Sequence, residues 1–532
     1  RVLGYNNNET YFNWQRRIFL AKDYLKEFLP DLEEFKEKTM KFHNKEITVP
    51  QYKGFSGGFG SYAERGGETH MLRLRMAGGQ LTKERLKFIT ETCDKYQIKK
   101  MKLTTCQSIQ LHHLEAENLC DMMAAAWKAG MISRGGGGDF PRNVMASPLS
   151  GAQKEEYFDV LPYAIEAGEY MMGFIKAVKF PRKLKVGFSN SPANETHATF
   201  RDLGFVANPD KTFDVYAAGG LGSNPRLGVC VAKGIDPGKT LYHIKAMINT
   251  FTTYGNYENR GRSRTRYLLD TLGEDGFIKA YQEKLEEALA TEQLDIKVDV
   301  PAVTKTGAGS VSPDKRIIPQ KQEGLYAVYY QPVGGEFTPE KAKELYELIR
   351  DMEEVEIRIT ADEGLYVINC NAQEAEQVLE RTADGANTLF ETSVACIGSA
   401  VCQVGIGDSQ SLLHACVDAV RKENFADGVL PRIHISGCPS SCGTHQIAEI
   451  GFRGAVKQTP DGPKPAFAIF KGGCDQQGKE TLADTGKAIA VEDIPKFFVE
   501  LGKIISSENT IYKKWIGKNE DKLDSLIEKY TA

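Results

Sequence analysis

The chain has 532 residues, enough for three or four domains of roughly 150 residues each. It carries 67 basic against 71 acidic residues and 41% hydrophobic residues. That balance excludes a polycationic nucleic-acid binder, and no apolar run approaches the roughly 18 residues that cross a bilayer. With no apolar core in the opening RVLGYNNNETYFNWQRR, the expectation is a soluble, cytoplasmic protein without a membrane or nucleic-acid partner.

Residues 1–50 read as a charged helical extension. MLRLRMAGGQLTKERLKFI (71–89) then reads as strand, Gly-Gly turn and amphipathic helix, and KLTTCQSIQL (102–111) as a strand pair broken by a polar turn. SRGGGG (133–138) lacks the Lys-Ser/Thr ending of a P-loop, and neither it nor GGFGSYAERGG (57–67) has the Rossmann spacing, so no nucleotide site is expected. There follow GDFPRNVMASP (138–148), FPRKLKVGFSN (180–190), RDLGF (201–205), FDVYAAGG (213–220) and NRGRSRTR (259–266).

The series then repeats. AVYYQPVGGEFTPEKAKEL (327–345) and RITADEGLYV (358–367) match the first two blocks at an offset of 256, and LPRIHISGCPS (430–440), AEIGF (448–452) and FAIFKGG (467–473) match later ones. Matching blocks in one order mean an internal duplication. Aligned this way, Lys183 and Lys185 face Ile433 and Ile435, Phe188 faces Cys438, and 138–148 falls beside VACIGSAVCQV (394–404). The expected fold is α+β, in two pseudo-twofold halves with ligands in the cleft between them. Its divisions are a helical extension (1–50), a half-domain (51–135), a basic domain (136–310), a second half-domain (311–390), a thiol-bearing domain (391–485) and closing helices (486–532).

The eleven cysteines, an odd number in a large chain, argue against a complete disulfide framework. Cys396 and Cys402 form a C-x5-C pair and Cys438 and Cys442 a C-x3-C pair, and four thiolates from two glycine-containing turns suit a [4Fe-4S] cluster or a tetrahedral zinc. Cys93, Cys120, Cys230, Cys370, Cys416 and Cys474 read as buried, unligated thiols. Arg73, Arg75, Arg142, Arg182, Lys183 and Lys185 gather from three segments, and the i, i+2 pairs point to one side of a strand. With Arg260, Arg262, Arg264 and Arg266 they point to a ligand bearing several negative charges. His112 and His113 read as structural histidines.

C-x5-C followed by G-C-P-x-x-C-G resembles the sirohaem and [4Fe-4S] sulfite/nitrite reductase family. MLRLRMAGG, TTCQSIQLHHL, GDFPRNVMASPLSG and PRKLK resemble that family's substrate-side strand, sirohaem-facing hairpin, Arg-Asn loop and paired-lysine strand. The resemblance implies that Cys396, Cys402, Cys438 and Cys442 hold the cluster, with Cys442 bridging to the sirohaem iron. It implies that Arg73, Arg142, Lys183 and Lys185 surround the bound anion, and that Arg75, Thr104, Gln110, Arg182, Arg264 and Ser440 contact sirohaem. It further implies half-domains of ferredoxin-like form.

Cys106 stands where the family usually has an arginine, with Arg75 or an arginine of 260–266 as its replacement. The second lysine of PRKLK favours six-electron reduction of sulfite to sulfide, whereas the two cysteine turns read more like those of ferredoxin-dependent nitrite reductases, which form ammonia. Electrons would come from ferredoxin or a separate flavoprotein. The rival from another class is a zinc-stabilised protein binding anions or nucleic acid.

Overall fold

The computed structural model describes residues 24–532 apart from 300, 301 and 461, so the first 23 residues of the expected helical extension lie outside the described residues. Helices Asp31–His43 and Val49–Ser56 follow, and Phe28, Leu32 and Phe35 enter the first hydrophobic core.

The two half-domains are built alike because their local signals are alike. In the first, strand His70–Leu74 leads through Gly78 and Gly79 to helix Lys83–Tyr96, whose Thr82 cap accepts from Arg85 N at 3.4 Å. In the second, strand Tyr326–Tyr330 leads through Gly334 and Gly335 to helix Pro339–Ile349, whose Thr338 cap accepts from Lys341 N at 3.1 Å. Gly78 and Gly334 have φ of 63° and 64°, a conformation that favours glycine. The hairpin Met101–Leu103/Ile109–Leu114 and its counterpart Glu356–Ile359/Leu365–Cys370 complete the two sheets.

These half-domains interlock. Strand Gln80–Leu81 leaves its own half and pairs with Glu356–Ile359 of the other. A Cβ on Gly79 would stand 2.6 Å from the Ile359 carbonyl, and one on Gly335 would stand 3.2 Å from the Leu103 carbonyl, so each Gly-Gly turn lies against the opposite hairpin. Leu72, Leu103 and Ile109 share one core with Val328, Ile359 and Val367.

Each half also carries a mixed five-stranded sheet with its own core. Strands Met145–Ala146, Val186–Ser189 and Leu203–Ala207 run parallel, as do Val394–Ala395, Ile433–Ser436 and Ile450–Thr459. Val186 pairs with Leu203 and Ile433 with Ile450, which fixes the repeat here at an offset of 247. Asn194 and His197, with φ of 52° and 53°, correspond to Ser441 and Thr444 at 53° and 57°.

The expected register is therefore corrected by three residues: Lys185 faces Arg432 rather than Ile435, and Cys438 faces Ser191 rather than Phe188. The shared Pro-Arg at 181–182 and 431–432 invites the wrong alignment, but strand pairing decides it. Met145 likewise corresponds to Val394, an offset of 249, rather than to residue 401. Among the described residues no helix is long and apolar enough to cross a membrane.

Candidate functional site

Both cysteine turns leave the same end of paired parallel strands, Cys396 after Val394–Ala395 and Cys438 and Cys442 after Ile433–Ser436. Cys396 N donates to the Ile435 carbonyl at 3.0 Å, while Ile406 N and Gly407 N donate to the Gly437 carbonyl at 2.8 and 2.9 Å. A Cβ on Gly437 would meet the Gly407 carbonyl at 2.6 Å, so this contact between the turns requires glycine. Gly437 N donates to Cys396 Sγ at 3.1 Å, a backbone donor of the kind that stabilises a thiolate ligand.

Burial, then the neighbouring Cys442, pushes the Cys396 thiol up to about 12, and burial raises Cys442. Such thiols ionise on binding a metal rather than before it. Among the described residues no three thiol, imidazole or carboxylate groups lie close enough to share one metal ion, whereas a cubane asks each thiolate to bind a different iron. An all-sulfur donor set on two turns held together by backbone bonds fits an iron–sulfur cluster.

Facing these turns is a basic cleft lined by Thr105, Lys183, Lys185, Arg201, Arg264 and Ser440, with Ser441, Thr444 and His197 beside them. Thr105 Oγ1 donates to the Cys442 carbonyl at 2.8 Å and ties the first hairpin to the thiol side. A wider concavity bounded by Gln153, Tyr157, Tyr163 and Lys321 holds none of the expected residues.

Arg73 donates to the Gly136 carbonyl, and Arg142 donates to the same carbonyl at 3.1 Å and to Gly138 at 2.9 Å, leaving its buried Nε without a partner. Burial lowers Arg142 to about 10. The Lys183 ammonium makes no hydrogen bond or ion pair among the described residues, and burial, then Lys185, Arg264 and Arg142, drives it well below the ordinary lysine range. Lys185 is lowered by burial, and its Nζ lies 3.4 Å from Cys106 Sγ.

Arg264 reaches the cleft while donating from Nη2 to both Asp202 oxygens at 3.0 Å. The remaining expected residues sit further back. Arg75, 7% exposed, donates to the carbonyls of Arg134 and Arg142 and braces the Gly-rich segment. Thr104 closes the hairpin turn by accepting from Ser108 N at 3.2 Å, and Gln110 pairs in register with Arg73 and Lys102. Arg182 and Arg260 both bind Asp139, at 2.6 and 2.5 Å, and Arg262 binds Asp270 at 3.3 Å. Cys230 and Cys474 are only partly buried. His112 and His113 both bind Glu64, at 2.7 and 2.8 Å, consistent with a structural pair.

Among the titratable residues of the cleft, sequence reading missed two. Arg201, 5% exposed, donates Nε to the Thr196 carbonyl at 2.8 Å and holds Nη2 buried without a partner. It faces Ala448 in the repeat, the same cation-for-aliphatic difference that singled out other residues, so the signal was available. His197 presents an unpartnered Nε2 while its Nδ1 meets Asp475 of the other half at 2.8 Å, a pairing with no local signature. Unpartnered donors converging on one cleft fit a polyanionic cofactor and a small anion, whose oxygens would supply the missing acceptors.

The family description "Nitrite and sulphite reductase 4Fe-4S domain" matches residues 137–289, and "Nitrite/Sulfite reductase ferredoxin-like half domain" matches twice, at 62–128 and 318–384. A ferredoxin–nitrite reductase of Synechococcus elongatus is 26% identical over 81% of this chain and 85% of its own. The hemoprotein beta-component of an NADPH sulfite reductase from Bacillus licheniformis is 25% identical over 72% of this chain and 73% of its own. The solved structure of the Mycobacterium tuberculosis NirA protein shares the fold, with a TM-score of 0.75 and 21% identity over 94% of this chain and 97% of that one.

Proposed function

The chain belongs to the nitrite and sulfite reductase family, and from that premise we propose that it is a ferredoxin-dependent nitrite reductase, reducing nitrite to ammonia with six electrons. It is an oxidoreductase whose cofactors are sirohaem and a [4Fe-4S] cluster, which replaces the zinc-stabilised binding protein as the reading of the four thiols. The first expectation, sulfite, is revised: relatives named as ferredoxin–nitrite reductases, the one from Synechococcus elongatus among them, support the nitrite reading. The same names support ferredoxin over a flavoprotein as donor.

In this reading Cys396, Cys402, Cys438 and Cys442 hold the cluster, with Cys442 on the side of the cleft, and Arg264, Ser440, Thr104, Gln110, Arg75 and Arg182 serve sirohaem directly or through the turns they brace. When bound, the coupled cofactors supply the electrons and the iron that takes the anion. Arg73, Arg142, Lys183 and Lys185 surround the anion, and the net positive charge of the group attracts it, electrostatic work that a desolvated cleft amplifies. An anion bound beside Lys183 would favour a proton at its Nζ, and because burial and neighbouring cations disfavour the charged form, Lys183 would give that proton up readily as an oxygen leaves as water.

The test is steady-state reduction of both anions with a reduced dye as donor. The expected result is a larger kcat/KM for nitrite than for sulfite, with ammonium as product; equal or inverted values would return the assignment to sulfite.

A further inference from the structure

The duplicated hairpins superimpose in their hydrogen bonds, and this identifies a partner for Cys106. Thr104 N donates to Ser108 O at 3.0 Å, and Thr104 Oγ1 accepts from Cys106 N at 3.4 Å and from Ser108 N at 3.2 Å. In the other half Thr360 N donates to Gly364 O at 2.9 Å, and Thr360 Oγ1 accepts from Asp362 N at 3.2 Å and from Gly364 N at 2.9 Å. The next residues, Gln107 and Glu363, have φ of 54° and 67°. Asp362 is therefore the counterpart of Cys106. Lys185 and Arg432 each immediately precede the equivalent strands Val186–Ser189 and Ile433–Ser436, so they too are counterparts.

Arg432 Nη1 and Asp362 Oδ2 form an ion pair at 2.5 Å. Lys185 Nζ and Cys106 Sγ stand 3.4 Å apart at the corresponding place. One cation–acceptor contact is thus built twice, as arginine with carboxylate in one half and as lysine with sulfur in the other. Burial opposes ionisation of Cys106, but Lys185, Arg201 and Arg73 together bring its thiol down to about 6, which favours the thiolate.

This pairing changes the charge available in the cleft. Arg264 is matched by Asp202, and Lys185 and Arg201 both face Cys106, Lys185 at 3.4 Å, whereas Lys183 has no partner among the described residues. We propose that Cys106 is a specificity-determining residue: its sulfur cancels the charge of Lys185 and leaves the cleft matched to a singly charged oxyanion rather than a doubly charged one. The proposal rests on the family reading above, in which this cleft receives nitrite or sulfite. Its physical basis is that a freed cation attracts a dianion twice as strongly as a monoanion at the same distance.

The experiment compares the parent holoenzyme with Cys106→Ser, Cys106→Asp and the double variant Cys106→Ser/Lys185→Gln. For each, haem content is checked, the Kd of nitrite and of sulfite is read from the visible spectrum at mildly alkaline pH, and kcat/KM is measured for both. Cys106→Ser, with Lys185 uncompensated, should shift both the Kd ratio and the kcat/KM ratio toward sulfite by roughly tenfold. Cys106→Asp, which installs the other half's partner, and the double variant should both keep the parent ratio.

An unchanged ratio in haem-loaded Cys106→Ser, or a Cys106→Asp that behaves like Cys106→Ser, would overturn the proposal. Should Cys106→Ser fail to load haem, Cys106→Asp and the double variant decide: agreement with the parent supports charge compensation, and a threefold departure in either refutes it. A parent that reduces neither anion would instead remove the family reading, a distinct outcome.

Discussion

Asp202 offers the sharpest test of how the basic cleft is held. Its carboxylate is fully buried, and it accepts from Lys185 N at 2.8 Å, from Arg264 Nη2 at 3.0 Å through both oxygens, and from the Thr265 hydroxyl. The substitution Asp202→Asn keeps the shape but removes the charge and turns an NH2 group toward donors, leaving the Arg264 cation, whose side chain is 12% exposed, uncompensated. Breaking a buried pair by removing one partner costs about 3–5 kcal/mol. At about 2–4 °C per kcal/mol for a domain of this size, the thermal transition of the 137–289 domain should fall by roughly 10 °C. Scanning calorimetry of the holoenzyme reads the shift. The double variant Asp202→Asn/Arg264→Met, which has no orphaned charge, should recover part of it. A shift below about 2 °C with full haem occupancy would show that Asp202 does not hold the cation, and the account of the cleft would fail.

Other expectations are as direct. Gly79→Ala puts a Cβ 2.6 Å from the Ile359 carbonyl at a φ of 66°, and should destabilise the junction of the half-domains by about 1–3 kcal/mol in urea unfolding; a neutral result would contradict the interlock. Cys442→Ser should abolish the visible cluster signal, while Cys416→Ala, a core thiol, should keep it; retention of the cluster in Cys442→Ser would refute the ligand assignment. Burial holds His243 at about 4, and burial with His43 nearby does the same for His70, against 6.5 for a free imidazole. Between those values the unfolded chain binds more protons, so stability present above 6.5 declines as pH falls toward 4, by up to about 1.4 kcal/mol per pH unit for each ring. The urea midpoint should drop between neutral pH and pH 5, and His243→Gln should flatten that slope; an unaltered slope would sink the assignment.

The half-domains were legible because caps, Gly-Gly turns and strand alternation are local: Thr82 and Thr338 sit in the same register in sequence and in space. Beyond residue 140 the halves keep their strands but change the lengths between them, and backbone conformation carries the correspondence. Left-handed residues at Asn194 and Ser441 have no common side chain to betray them. The three-residue error that followed hid the equivalence of Lys185 with Arg432, and with it the meaning of Cys106. The meeting of the two cysteine turns was legible from their spacing and their glycines. The pairing of His197 with Asp475 was not, since these residues lie in different halves and nothing local links them.

The crossing of Gln80–Leu81 into the other half's sheet bears on how such a chain could arise. The second half's sheet takes its last strand from the first, so it is completed only beside its twin, and an ancestral single half would have reached this sheet only as a pair before one gene came to encode both. Once they were joined, one cleft could keep its cations while its twin sealed into the arginine–aspartate pair of Arg432 and Asp362. The asymmetry that makes an anion site out of a repeated fold is thus a division of labour between former equals.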